Sequence, residues 1–239
     1  MKFLDTRRAG WDTETTGPDA TEARIVTAAI IARGGGAGDR IQTWLINPGV
    51  PIPAEATAVH GIDDAKAQAE GQDPKTALAE IADTLTRIIE FGLPLVAFNT
   101  SFDWTVLHYD LQRHGLLTMA DRLGDVTPTL VDPHVIDKQY DRYVSGSGQR
   151  KLQPTAQRYG IEITDWHTAD ADADAALRIA EAQFEKYPHL NTFAPRELYL
   201  AQQIWRGTQQ ASLQDYFRRT DPQAVVDPGW PLLGEQVTV

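Results

Sequence analysis

The chain has 239 residues, 42% of them hydrophobic, enough for one substantial core and too few to promise two large ones. It contains no cysteine, which excludes disulfides, thiolate zinc sites and cysteine nucleophiles, so any metal must be held by oxygen or imidazole. With 33 acidic against 22 basic side chains the net charge is −11, which excludes a broadly basic surface, and no apolar run reaches membrane-spanning length. The opening residues lack the apolar stretch of a secretory signal, so a cytoplasmic location and no membrane partner are expected.

Ala9 to Thr13 reads as a short strand, followed by the turn Thr15-Thr16-Gly17-Pro18 and a β-branched second strand from Arg24 to Ala32. The Gly34-Gly35-Gly36 tract predicts a hairpin turn. Ile41 to Ile46 alternates as a half-buried third strand, which Pro48 to Pro53 ends. The pattern then switches to helices and strands in alternation. Pro74 to Phe91 is a helix with Leu78, Ile81, Leu85 and Ile88 on one face, Leu93 to Phe98 an apolar strand, and Ser101 to His114 a helix. Thr129 to Asp132 is a short strand, Leu152 to Tyr159 a helix, and Asp170 to Tyr187 a longer alanine-rich helix. The expectation is an α/β fold with helices on the faces of a mixed sheet, three antiparallel strands coming first. From Pro188 the pattern changes, and Pro195 to Thr220 predicts one or two further helices before a tail rich in proline and glycine.

Three acidic groupings carry possible chemistry. In Asp12-x-Glu14, a spacing of two on a strand puts both carboxylates on one face, where they repel unless a cation lies between them; paired acids at a strand end are otherwise a solvated edge or helix caps. In Asn99-Thr100-Ser101-Phe102-Asp103 an apolar strand runs into a helix whose first turn presents Asp103. Thr100 or Ser101 is the expected cap, and the helix dipole alone would favour the acid. In His167-Thr-Ala-Asp-Ala-Asp172 a loop histidine precedes an acid on the next helix. Asp170, Asp172 and Asp174 cannot share one helical face, while Ala169, Ala173 and Ala176 allow close packing on the sheet.

Taken in this order and on these elements, Asp12-Thr-Glu14-Thr-Thr-Gly, Ala97-Phe-Asn99-Thr-Ser-Phe-Asp103 and His167-Thr-Ala-Asp-Ala-Asp172-Ala closely resemble the DEDDh exonucleases, the family of the proofreading subunit of bacterial replicative polymerases. The resemblance runs from about Ala9 to Tyr187. A threonine at position 168, where the sister branch has tyrosine, favours the histidine branch. Val59-His60-Gly61-Ile62 and Lys151-Leu152 are smaller matches to segments that border the family's substrate cleft.

The resemblance implies a ribonuclease-H-like fold with a mixed five-stranded sheet, an exonuclease domain over residues 1–190, and a helical extension and tail over 191–239. It implies 3′→5′ hydrolysis of DNA, or alternatively trimming of RNA, with a catalytically silent binding or polymerase-tethering module as a rival of another class. Asp12, Glu14, Asp103 and Asp172 would hold two divalent cations, and all-oxygen ligation selects Mg²⁺ or Mn²⁺. His167 would be the general base, and Thr15, Thr16, His60, Asn99 and Phe102 would border the terminal nucleotide. Between Lys138 and Gly160, Lys138, Arg142, Arg150, Lys151 and Arg158 face only Asp141, so Arg150 and Lys151 are expected to contact phosphates. In the extension, Gln210-Ala-Ser-Leu213-Gln-Asp-Tyr216-Phe217 has the form of a sliding-clamp-binding peptide. The commoner fate of such an apolar stripe is burial against the core, so a clamp or polymerase partner is the alternative there.

Overall fold

The computed structural model describes residues 2–163 and 166–234. After a short 3-10 turn at Phe3–Asp5, β1 (Arg8–Thr15), β2 (Ile25–Arg33) and β3 (Arg40–Leu45) form the expected antiparallel meander. Gly34, Gly35 and Gly36 all take positive φ in the β2–β3 turn, a conformation only glycine adopts without strain. Two short strands, β4 (Leu95–Val96) and β5 (Leu130–Val131), then add in parallel on the far side of β1. The sheet order is β3-β2-β1-β4-β5, the mixed five-stranded arrangement expected from the sequence.

The helices are α1 (Ala54–His60), α2 (Asp64–Glu70), α3 (Pro74–Glu90), α4 (Ser101–Arg113), α5 (Met119–Leu123), α6 (Pro133–Tyr140), α7 (Leu152–Arg158), α8 (Ala169–Lys186) and α9 (Pro195–Phe217). Alternation along β1 divides the core. Trp11 faces α3 and α4, packing with Ile30, Leu78, Ile81, Leu85 and Leu107 and meeting Trp104 edge-on at 6.3 Å. Its neighbour Gly10 faces α8, whose Ala173, Ala176 and Leu177 pack with Ile31, Val96 and Val131. Full burial of side chains such as Leu78, Ile81 and Leu85 contributes about 2 kcal/mol each.

The segment after Pro188 joins this core. A 3-10 turn (Pro188–Thr192) leads into one continuous helix, α9, which lies along β5. Gln202 is fully buried there: its Oε1 accepts from Asp132 N (2.7 Å) and its Nε2 donates to Leu130 O (2.8 Å), so a helix side chain satisfies the outer strand. Trp230 is buried in the same core as Trp11 and Trp104. Residues 235–239 of the expected tail lie outside the described residues. Among the described residues, no helix is long and apolar enough to cross a membrane.

Candidate active site

The carboxyl ends of β1 and β4 and the amino ends of α4 and α8 converge on one edge of the sheet. Gly10 makes this convergence close. A Cβ there would lie 2.6 Å from Ala173 O and 2.6 Å from Leu177 Cγ, so the absent side chain lets α8 rest on β1. The first turn of α8 thereby brings Asp172 beside Asp12 and Glu14, which share the α8-facing side of β1.

Asp103 arrives from the other side. Its Oδ1 accepts from Thr13 N (3.0 Å) and Thr13 Oγ1 (2.7 Å), so the β1 residue between the two acids fixes the carboxylate of α4. The expected cap of α4 by Thr100 or Ser101 is not what the structure shows. Thr100 has helical backbone angles and donates its hydroxyl to Ala97 O, and the Ser101 hydroxyl accepts from Arg206. The capping acceptor is Asp132, at the end of β5. It takes the N–H groups of Asn99 and Thr100 (both 3.0 Å), those of His134 and Val135 at the start of α6, and the Trp230 indole N–H (3.0 Å). Buried Asp132 thus orders two helix starts and the C-terminal segment together.

Two non-glycine residues of the described chain have positive φ, Asn99 (63°) and His167 (67°). Both belong to the acidic groupings singled out in the sequence, and such backbone strain persists only where surroundings over-determine it. His167, exposed, brings a ring nitrogen within 4.8 Å of carboxylate oxygens of Glu14 and Asp172.

Burial raises all four carboxyls above their usual range, and at Asp12 and Glu14 the other site carboxylates add to it. Burial, then Asp103, Asp172 and Glu14, push Asp12 well above its usual range. Burial, Asp172 and Asp103 raise Glu14 to about 8. Burial raises Asp103 to about 7 against the opposing Thr13 hydrogen bonds, and burial raises Asp172 to about 6 against the opposing influence of His167. Asp172 Oδ1 is also buried, with no hydrogen-bond partner among the described residues. Such a set is short of positive charge and of one ligand for an inward oxygen. Hard divalent cations supply both, so the donors present fit them.

The remaining sequence-predicted residues divide between two hollows. Thr15, Thr16, His60 and Phe102 line a cleft of about 750 Å³ with Glu14, Pro53 and Val59. The Thr16 N–H is already bonded to Arg24 O (2.9 Å). Nδ1 of His60 accepts from Ile62 N (3.2 Å), and burial lowers the pKa of this imidazole. Asn99, Arg150 and Lys151 line an adjoining hollow of about 500 Å³ with Phe98 and His134. Here Arg150 is committed elsewhere: it bonds Asp137 (2.6 Å) and Asp141 O (2.6 Å), and Arg158 bonds the same Asp137 (2.7 Å). The sequence window in which these cations faced only Asp141 begins one residue after this buried carboxylate.

Thr13, Asp132, His134 and Gln202 were not singled out in the sequence. Asp132-Pro133, an acid before proline at a helix start, is the readable signal among them. In the extension, Gln210 is buried and donates to Asp227 O, whereas Tyr216 and Phe217 are 60% and 42% exposed, so the aromatic end of the stripe is not buried on the core.

Comparison with known proteins places this geometry. The family model described as RNase_T exonuclease matches residues 10–180. The polymerase III epsilon-subunit-like protein of Rhodobacter capsulatus is 38% identical over 181 residues, covering 72% of this chain and 23% of that protein. The PolC-type DNA polymerase III of Streptococcus thermophilus is 28% identical over 172 residues, 71% of this chain and 10% of its own length. This chain therefore spans less than a quarter of either relative. Exonuclease I of E. coli, in its zinc-bound complex with single-stranded DNA, superposes with a TM-score of 0.66 at 18% identity over 79% of this chain and 42% of that one. The family match spans the strand that carries Asp12 and Glu14, the helix that carries Asp103 and the helix that carries Asp172, and the chain belongs to the exonuclease family, in its DEDDh branch with a ribonuclease-H-like fold.

Proposed function

We propose that the chain is a metal-dependent 3′→5′ exonuclease that removes nucleoside 5′-monophosphates from the 3′ end of single-stranded or frayed DNA. The observation that carries this reading is the convergence of Asp12, Glu14, Asp103 and Asp172, each raised in pKa by burial and Asp12 and Glu14 also by the others, with His167 beside them.

Asp12, Glu14, Asp103 and Asp172 would hold two Mg²⁺ or Mn²⁺ ions. Such ions supply Lewis-acid stabilisation of charge on phosphate and acidify bound water. His167 accepts the proton of the attacking water. Its exposed position lets the imidazole pass that proton to solvent, and the backbone constraint at φ 67° holds it over Glu14 and Asp172. The water oxygen bonds to phosphorus, and the bond from phosphorus to the 3′ oxygen of the preceding nucleotide breaks, that oxygen taking a proton from solvent to become the new 3′ hydroxyl. Thr15, Thr16, His60 and Phe102 wall the cleft in which the terminal nucleotide sits. Lys151 and Asn99 border the path of the strand behind it, whereas Arg150 shapes that loop through Asp137.

The names of relatives point to a polymerase as partner. A sliding clamp would have to take Tyr216 and Phe217 from a helix whose Gln210 is already bonded to Asp227, and retention on immobilised clamp tests this. The reaction is tested by turnover of matched DNA and RNA strands by wild type, Asp12→Ala and His167→Ala. Loss of mononucleotide release in both variants supports the site, and faster turnover of RNA would move the substrate to the alternative. Equal turnover in Asp12→Ala would remove the carboxylates from the mechanism.

A further inference from the structure

A chain of net charge −11 must attract an anionic strand through local clusters of cations. Near the catalytic edge the arginines are largely neutralised: Arg24 by Asp110 (3.6 Å), Arg33 by Asp174 and Asp39, and Arg150 and Arg158 by Asp137. Free guanidinium groups gather elsewhere. Between β2, β3 and the last turns of α3 lies a hollow of about 360 Å³ with an apolar floor that includes Ile30, Ile88 and Leu93. Its rim carries Arg7, Arg40, Arg87 and Phe91, and among the described residues no acid lines it. Arg7 is held by the neutral carbonyl oxygens of Ala32, Gly34, Ala37 and Gly38, which fix its position and leave its charge uncompensated. Among the described residues Arg40 and Arg87 enter no ion pair, and both are exposed. Phe91 is 79% exposed, an aromatic face standing in solvent beside these cations.

This hollow is not part of the catalytic cleft. Along β2, Thr27 pairs with Glu14 while Ala32, in the hollow, pairs with Ala9. Five residues of strand separate them, roughly 17 Å at about 3.4 Å per residue.

We propose that this hollow is a second contact for single-stranded nucleic acid, with a base stacked on Phe91 and the flanking phosphates on Arg40 and Arg87. The inference rests on the reading of nucleic acid as substrate. An aromatic face bordered by unpaired guanidinium groups suits a strand irrespective of sequence, because every base offers a π-face and every linkage a charge. Its distance from the carboxylates means that an oligonucleotide held at the catalytic cleft reaches it only when the strand is long.

The test measures binding of oligothymidylates of about 4 and about 16 nucleotides to the full chain in EDTA, across a salt series. Arg40→Glu/Arg87→Glu is expected to weaken the long oligonucleotide about tenfold or more and to lower the salt slope by about 2, with the short one unaffected. Phe91→Ala is expected to weaken the long oligonucleotide about fivefold with the slope retained. Arg196→Glu/Arg219→Glu makes the same change in net charge elsewhere and is expected to leave both values near wild type. Unchanged long-strand affinity in Arg40→Glu/Arg87→Glu, or an equal loss in Arg196→Glu/Arg219→Glu, overturns the proposal. So does selective loss of an acidic, phenylalanine-containing peptide with oligonucleotide binding intact, which would assign the hollow to a protein. Because hydrolysis is not read, the expected binding pattern from a wild type that cleaves nothing would refute the catalytic reading and leave this one standing.

Discussion

Asp172→Asn separates what this carboxylate does for the fold from what it does for the reaction. Asp172 is 8% exposed, and burial raises its pKa from 3.8 to about 6. An acid whose pKa is raised on folding keeps its proton longer in the folded state, so metal-free stability falls as pH rises from about 4 through about 6, and Glu14 extends the fall toward about 8. Each unit is 1.36 kcal/mol, which puts the cost of ionising Asp172 in the metal-free protein at about 3 kcal/mol at pH 8. Asparagine imitates the protonated acid and keeps an oxygen for the His167 backbone. In EDTA at pH 8 the variant should therefore be more stable than wild type by about 3 kcal/mol, some 6–12 °C in Tm for a chain of this size, and the difference should vanish near pH 4. Mg²⁺ should raise the Tm of wild type and leave the variant almost unmoved. Thermal unfolding followed by circular dichroism at the two pH values, with EDTA and with Mg²⁺, reads all four cases. A variant less stable than wild type at pH 8 in EDTA would refute the reasoning, since the carboxylate would then be satisfied without a cation.

Three further outcomes follow from the packing. Gly10→Ala drives a methyl against Ala173 O and Leu177, so it should lower stability by about 1–3 kcal/mol and displace Asp172, reducing turnover more than strand binding; urea denaturation beside steady-state kinetics reads both. Gln202→Ala removes the partner of Asp132 N and Leu130 O, and a loss of about 2–4 kcal/mol in urea unfolding would show that α9 belongs to the catalytic core. Arg150→Ala should destabilise the protein by roughly 2–4 kcal/mol by leaving buried Asp137 short of charge, whereas Lys151→Ala should weaken oligonucleotide binding with Tm unchanged.

The sequence was most legible where periodicity was long. β1 to β3, α3, α4, α7 and α8 stand within a few residues of their expected bounds, because alternation or a helical stripe ran through each of them. The apolar run Leu93 to Phe98 was too generous as a strand: only Leu95 and Val96 pair, and the chain turns at Asn99 once its N–H and that of Thr100 reach Asp132. The helices α1, α2, α5 and α6 were missed because five to eight residues carry too little periodicity. Three of them nonetheless carried a capping side chain, Asp63 accepting from Lys66 N before α2, Thr118 and Asp121 capping α5 reciprocally, and Asp132 preceding Pro133 at α6. The acidic site was legible through motif order, whereas its support was not. Nothing local links Asp132 to Trp230 or Gln202, 98 and 70 residues away, since those bonds exist only once α9 lies against β5.

The central claim is metal-dependent removal of nucleotides from the 3′ end, and the most direct measurement is the fate of a 5′-labelled single strand with Mg²⁺ or Mn²⁺ against EDTA. The account predicts a ladder of labelled products shortening one nucleotide at a time, present with either metal and abolished by chelation. Label released at once as a mononucleotide, internal fragments without a ladder, or full activity in EDTA would contradict it.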